Sequence, residues 1–182
     1  MFIELQITAI TLAFIAAILM IKKHKLSWLF GALCSTFLAY IFIKNQLYPQ
    51  YILQIIYICL SIVGLFFWRN GKPKDKDVLN ISNKYNLALL LISVVVSEII
   101  VYAVQFYNNS IEYLTVLSSV LLLCDCIMQI FKYINGFIFA FLGNFLMTII
   151  NINHHIYIIA ILSLCFTIMP IVGYIRWKKY IT

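Results

Sequence analysis

Seven runs of apolar residues, most of them close to twenty long, leave this chain few folds to choose from. A segment of roughly 20 apolar residues crosses bilayer hydrocarbon as a helix, because a helix satisfies its own backbone polar groups where water is absent. The runs predict helices at about 2–21, 27–43, 51–67, 86–106, 113–131, 136–152 and 155–175. Charged residues make up 10% of the chain, against about 25% in a soluble domain. Too little polar surface is available to cover a fold in water. The start, Met1-Phe2-Ile3-Glu4, lacks the positive n-region of a cleavable signal peptide, so the first helix is expected in the mature protein.

Displaced by 109 positions, the chain resembles itself. Gly64-Leu65-Phe66-Phe67-Trp68-Arg69 returns as Gly173-Tyr174-Ile175-Arg176-Trp177-Lys178, and Leu33, Tyr48, Ile52, Leu53, Ile62 and Val63 meet identical residues in the same register. Repeated blocks of membrane helices are a common plan for secondary transporters. The expected fold is therefore an all-α integral membrane protein of two three-helix repeats joined by a linker helix. Repeat one covers about 2–68, a cytoplasmic linker about 69–85, the linker helix about 86–106 and repeat two about 111–177, all within one membrane domain, 1–182. Three helices and one linker make an even number, so the two repeats start on the same side and are parallel.

Charge sets the orientation. The net charge is +7, but its placement argues against nucleic acid. Threaded from outside, the inner loops gather Lys22, Lys23 and Lys25, then Arg69, Lys72, Lys74, Lys76 and Lys84, then Lys132, then Arg176, Lys178 and Lys179. Lys44 alone falls outside. Cytoplasmic loops carry such an excess of Lys and Arg, so the N-terminus is expected out and the C-terminus in. Trp68 and Trp177 then lie at the inner interface, where Trp is enriched.

Polar side chains within the spans are costly and usually face a bundle interior or a watery cavity. On the third helix Gln54, Tyr57 and Ser61 share a face. Glu98, Tyr102 and Gln105 do so on the fourth, Ser118, Asp125 and Gln129 on the fifth, and Asn144, Thr148 and Asn151 on the sixth, while the second offers Ser35, Thr36 and Tyr40. Glu98 and Asp125 are the carboxylates deep in spans: each could relay protons or serve as a structural hydrogen-bonding group, and structure is favoured for Glu98. Cys34, Cys59, Cys124, Cys126 and Cys165 show no metal-ligand spacing and read as small packing residues. Ala9, Ala13 and Ala17 repeat every four residues, a stripe suited to close helix packing or to docking on another membrane subunit. His154 and His155 read as loop residues. No nucleotide-binding or hydrolase motif occurs, and no catalytic, metal or cofactor site is expected.

These residues carry a resemblance. Glu4, Gly31, Leu53-Gln54-x-x-Tyr57, Ser61, Gly64 and Trp68 in the first half, with Gly173-Tyr174-x-x-Trp177-Lys178 in the second, resemble the PnuC family of bacterial vitamin transporters over nearly the whole chain. The resemblance implies a SWEET-like 3+1+3 fold in the bacterial cytoplasmic (inner) membrane, often as a homo-trimer. It implies uptake of nicotinamide riboside by facilitated diffusion, with thiamine or riboflavin carried by relatives. The family's W-x-x-W-x-x-x-N pattern on the sixth helix meets Phe137, Ala140 and Asn144, so one ring is exchanged and one lost. Asp125 stands where the family tends to have Gln, which suits a cationic ligand.

The expected ligand is a small vitamin or nucleoside-like cation held near the bilayer midplane. Asn144, Gln54, Tyr57, Asp125 and Gln129 are the candidates for hydrogen bonds and charge, with Phe137 and Phe141 for ring contacts. A substrate-binding subunit of an ATP-driven vitamin importer is the rival from another class. The alanine stripe suits it, and the internal repeat and odd span count do not. A lipid-acting membrane enzyme lacks any convergent nucleophile or metal set.

Overall fold

A computed structural model of the chain describes residues 2–44, 48–68, 78–104, 110–153 and 157–181. These form seven α-helices: α1 (Phe2–Ile21), α2 (Leu26–Lys44), α3 (Tyr48–Phe67), α4 (Asn83–Val104), α5 (Ser110–Ile130), α6 (Gly136–Asn153) and α7 (Tyr157–Trp177), closed by a 3-10 turn, Lys178–Tyr180. Every expected helix is present, and no end differs by more than three residues. Of the seven, α1, α2, α4, α5 and α6 are long and apolar enough to cross a membrane, and α3 adds the shorter apolar stretch Tyr51–Phe67.

The chain divides into two compact units, Met1–Asp75 and Lys76–Thr182. In the first, α2 packs between α1 and α3. Ala9 on α1 is buried, and its carbonyl accepts a hydrogen bond from Cys34 Sγ on α2 at 3.3 Å. This end of the alanine stripe therefore serves packing within the unit. In the second unit, α6 packs between α5 and α7. Leu121, Met128 and Phe139 form its core between α5 and α6.

The helix expected as a spacer belongs with this second unit, where it packs on α5. Leu89 and Leu90 of α4 reach the core cluster, and Ser93 Oγ lies 3.5 Å from Cys124 Sγ. Within the unit, α4 leaves Leu91, Val95, Glu98, Ile99 and Tyr102 exposed. Glu98 is thus not part of this unit's interior. Gln105, at the end of its stripe, lies outside the described residues, as do His154 and His155.

The two units repeat local structure at the sequence offset. After α1, Lys23 adopts a left-handed φ of 54°, and after α5 its counterpart Lys132 adopts 59°. Lys23 N donates to Met20 O and His24 N to Leu19 O, both at 2.9 Å; Lys132 N donates to Gln129 O at 3.1 Å and Tyr133 N to Met128 O at 2.9 Å. This double bond pattern is the Schellman cap, which usually places Gly at the left-handed position. Lysine there places a cation beside the last carbonyls, where the helix dipole favours it.

The glycines of the repeat have one physical role in both units. Trp28 stacks edge-on against Trp68, with centroids 5.7 Å apart and planes at 81°, and Phe137 does the same to Trp177 at 5.0 Å and 88°. A Cβ on Gly64 would overlap the Trp28 ring, and one on Gly173 would overlap Phe137. Only a missing side chain lets each ring cross its neighbouring helix there.

A strap with no counterpart described in the first unit crosses one end of the second. Residues 78–81 pair with two separate segments: Val78 N donates to Tyr180 O at 3.2 Å, Leu79 N to Lys132 O at 3.0 Å, and Ile134 N to Leu79 O at 2.9 Å. Asn135 grips Ile81 with both ends of its amide, accepting from Ile81 N at 2.7 Å and donating to Ile81 O at 3.2 Å. Val78 of the strap is completely buried, as are Ile134 and Trp177.

Candidate functional site

In the first unit, the α3 face predicted from spacing turns inward. Gln54 and Ser61 are buried and Tyr57 is half-buried. Ser61 Oγ stands 3.5 Å from the space a Gly31 side chain would occupy, so this face meets α2. On α2, Ser35 is buried, whereas Tyr40 is exposed and Thr36 donates to its own helix at Ala32 O, 2.8 Å away. The set offered by the second helix is thus split between two faces.

In the second unit, α6 and α7 share a polar seam. Asn151 Nδ2 donates to Ser163 Oγ at 2.9 Å, and the hydroxyls of Thr148 and Thr167 are 3.5 Å apart. The seam is also anchored to the helix backbones. Thr148 Oγ1 donates to Asn144 O at 3.0 Å and Thr167 Oγ1 to Ser163 O at 2.9 Å. Asn144 heads this face, with Nδ2 donating to Ala140 O at 2.8 Å. Each such bond removes an otherwise unsatisfied polar group from hydrocarbon.

Asp125 and Gln129 are brought together on α5, where Gln129 Nε2 donates to Asp125 Oδ1. The pair sits beside the start of α6: a Cβ on Gly136 would stand 3.0 Å from Asp125 Oδ1. Position 136 therefore keeps room for the carboxyl. Ser118, one turn pair earlier on the stripe, is wholly buried beside Gly143, and among the described residues its hydroxyl has no partner.

The two candidate rings have different surroundings. Phe137 is buried against Gly173 and Trp177, so its ring also holds α6 to α7. Phe141 is half-buried and lies parallel to Phe145, with centroids 6.2 Å apart. Both rings line a hollow of about 300 Å³ between α6 and α7. Ala140, at the other family Trp position, is buried.

Of the seven candidates, Gln54 and Tyr57 belong to the first unit and the other five to the second. Thr167 was missed by sequence reasoning, although it stands one turn after Ser163, the repeat counterpart of Gln54. That spacing was the available signal. Among the described residues no cluster of three or more His, Cys, Asp or Glu could hold a metal ion.

Apolar helices of spanning length, two of them joined along a seam of Asn, Thr and Ser, define a polytopic membrane protein. The chain belongs to the nicotinamide mononucleotide transporter family, whose model matches residues 3–179. It is also similar in structure to a vitamin B3 transporter, PnuC, known from a crystal structure: the TM-score is 0.80 at 17% identity, covering 98% of this chain and 82% of that one. At that identity the structural match establishes the shared fold alone. No curated protein sequence matches the chain. The PnuC resemblance read from the sequence is therefore confirmed, and the family is one of transporters.

Proposed function

We propose that this protein carries a small cationic, nucleoside-like vitamin across the bacterial cytoplasmic membrane, nicotinamide riboside first. The observation that carries the reading is family membership, supported by polar side chains within apolar helices: Asn144 and its seam on α6, and the Asp125–Gln129 pair on α5. A carboxyl group within a span is expensive unless it serves a ligand or a partner, and a cationic ring is a ligand it suits. Gln54 and Tyr57 add hydrogen-bonding groups from the first unit, and Phe137 and Phe141 supply ring contacts.

Binding near the midplane, alternating access by rocking of two parallel repeats, an outside N-terminus and an inside C-terminus complete the reading. The charge layout supports the orientation, and the matching lysine caps and ring-on-glycine contacts support the duplication. Facilitated diffusion needs no cofactor. A homo-trimer is the assembly proposed, as the family resemblance implies. Asp125 favours thiamine equally on charge, and thiamine is the second reading.

Uptake into liposomes by the purified chain tests the proposal. Labelled nicotinamide riboside should enter down its gradient, and unlabelled thiamine or nicotinamide mononucleotide, added in turn, reports which relative competes. Uptake by the chain alone excludes a subunit that needs an ATPase. No entry of nicotinamide riboside and no competition among these compounds would sink the proposal.

A further inference from the structure

We infer that the strap at residues 78–81 sets how strongly the carrier prefers a cation, by fixing the start of α6 against the carboxyl group of Asp125. Asn135 and Gly136 are the positioning residues through which it acts. The inference rests on the reading above that Asp125 meets a cationic cargo. A continuous run of contacts makes the connection. Ile81 N donates to Asn135 Oδ1 at 2.7 Å, and Asn135 Nδ2 donates to Ile81 O at 3.2 Å. Asn86 Nδ2 of α4 donates to the same carbonyl at 3.4 Å. At the other end of the α5–α6 turn, Leu79 N donates to Lys132 O at 3.0 Å. The strap thus pins this turn at both ends, and Asn135 is buried there.

Gly136 follows Asn135 directly and is the first residue of α6. A Cβ on it would stand 3.0 Å from Asp125 Oδ1 and 3.2 Å from Asp125 O, so α6 begins against both the side chain and the main chain of Asp125. The same Oδ1 accepts from Gln129 Nε2, and Gln129 O accepts from Lys132 N at 3.1 Å. One carboxyl oxygen therefore lies between Gln129 and the start of α6, and the strap is bonded to a residue near each of them. A helix N-terminus favours negative charge only within its first turn. Shifting the start of α6 thus changes both the room and the field at the carboxyl group. Charges in a poorly screened interior feel small displacements strongly. A displaced Asp125 should therefore lose hold of a cation more than of a neutral molecule of the same shape, a difference that loss of stability alone does not produce.

The test is liposome uptake by the full chain of nicotinamide riboside and of its reduced, uncharged dihydro form, read as the ratio of the two. Asn135→Ala releases the strap and Gly136→Ala presses on the carboxyl group. Each should lower the ratio by roughly two- to thirtyfold, the range seen for residues that act on a site without touching its ligand. Asp125→Asn should lower it too, and Gly136→Ala added to Asp125→Asn should lower it no further. Gly64→Ala, which crowds the Trp28 ring in the first unit, should lower the unfolding midpoint and leave the ratio alone. If Gly136→Ala fails to fold, Asn135→Ala decides. Equal loss of both compounds in Asn135→Ala overturns the inference, because the strap then serves stability only. So does a ratio that falls as far in Gly64→Ala, or one that Gly136→Ala lowers further without the carboxylate. A ratio unmoved by Asp125→Asn overturns the inference together with the charge reading beneath it. A ratio moved by Asp125→Asn but by neither Asn135→Ala nor Gly136→Ala overturns the inference alone.

Discussion

A hydrogen atom at position 173 decides how closely α6 and α7 meet. Gly173→Ala would drive a methyl group into the Phe137 ring. Overpacking of this kind costs about 1–3 kcal/mol, so thermal unfolding in detergent should shift down clearly. Adding Phe137→Leu should restore part of the loss, because the obstacle is the ring. The lysine caps give a second residue-scale prediction. Lys132 has φ 59°, which Gly adopts freely and a β-branched residue adopts only under strain. Lys132→Gly should leave stability unchanged or slightly raised, while Lys132→Val should lower it by roughly 1–3 kcal/mol. Equal midpoints for the two variants would show that the left-handed turn is not what limits this site.

At the scale of elements, the strap is the feature the sequence hid. Residues 78–81 stand in a stretch expected as solvated cytoplasmic linker, and nothing in their composition names their partners. Their bonds reach to 132–135 and 180, across distances that periodicity does not report. Asn135→Ala removes both side-chain bonds to Ile81. Hydrogen exchange at the Ile81 amide should speed up by roughly five- to a hundredfold, as expected for the net worth of two hydrogen bonds. Unchanged exchange would mean that the Leu79 pairings hold the strap without Asn135. The helices themselves were legible, because seven apolar runs each demand one. The α6–α7 seam was half legible: Asn144, Thr148 and Asn151 stand out by spacing, but Thr167 looks like any Thr bonding to its own helix. What also escaped sequence reasoning is that Phe137 works as a structural ring, although the register pairs it with Trp28 and Gly173 with Gly64.

For the whole molecule, the family was readable from motifs and charge layout, while the division of the chain was not. Helix α4 carries apolar residues on most faces, so its sequence could not say which neighbours it joins; in the fold it packs on α5. Transport makes the test at this scale. Asn144→Ala should reduce uptake of nicotinamide riboside by liposomes roughly two- to tenfold, the usual worth of one hydrogen bond, with the unfolding midpoint little changed. A lowered midpoint with normal transport would assign Asn144 to packing instead.

The paired extended segments at residues 78 and 181 bring the start and finish of the second unit within hydrogen-bonding reach. A stretch of chain whose two ends meet can be copied, transplanted or rejoined head to tail without stretching what lies between. Such a closed loop is good raw material for duplication, and it predicts that a circularly permuted gene opened between two helices would still yield a folded half.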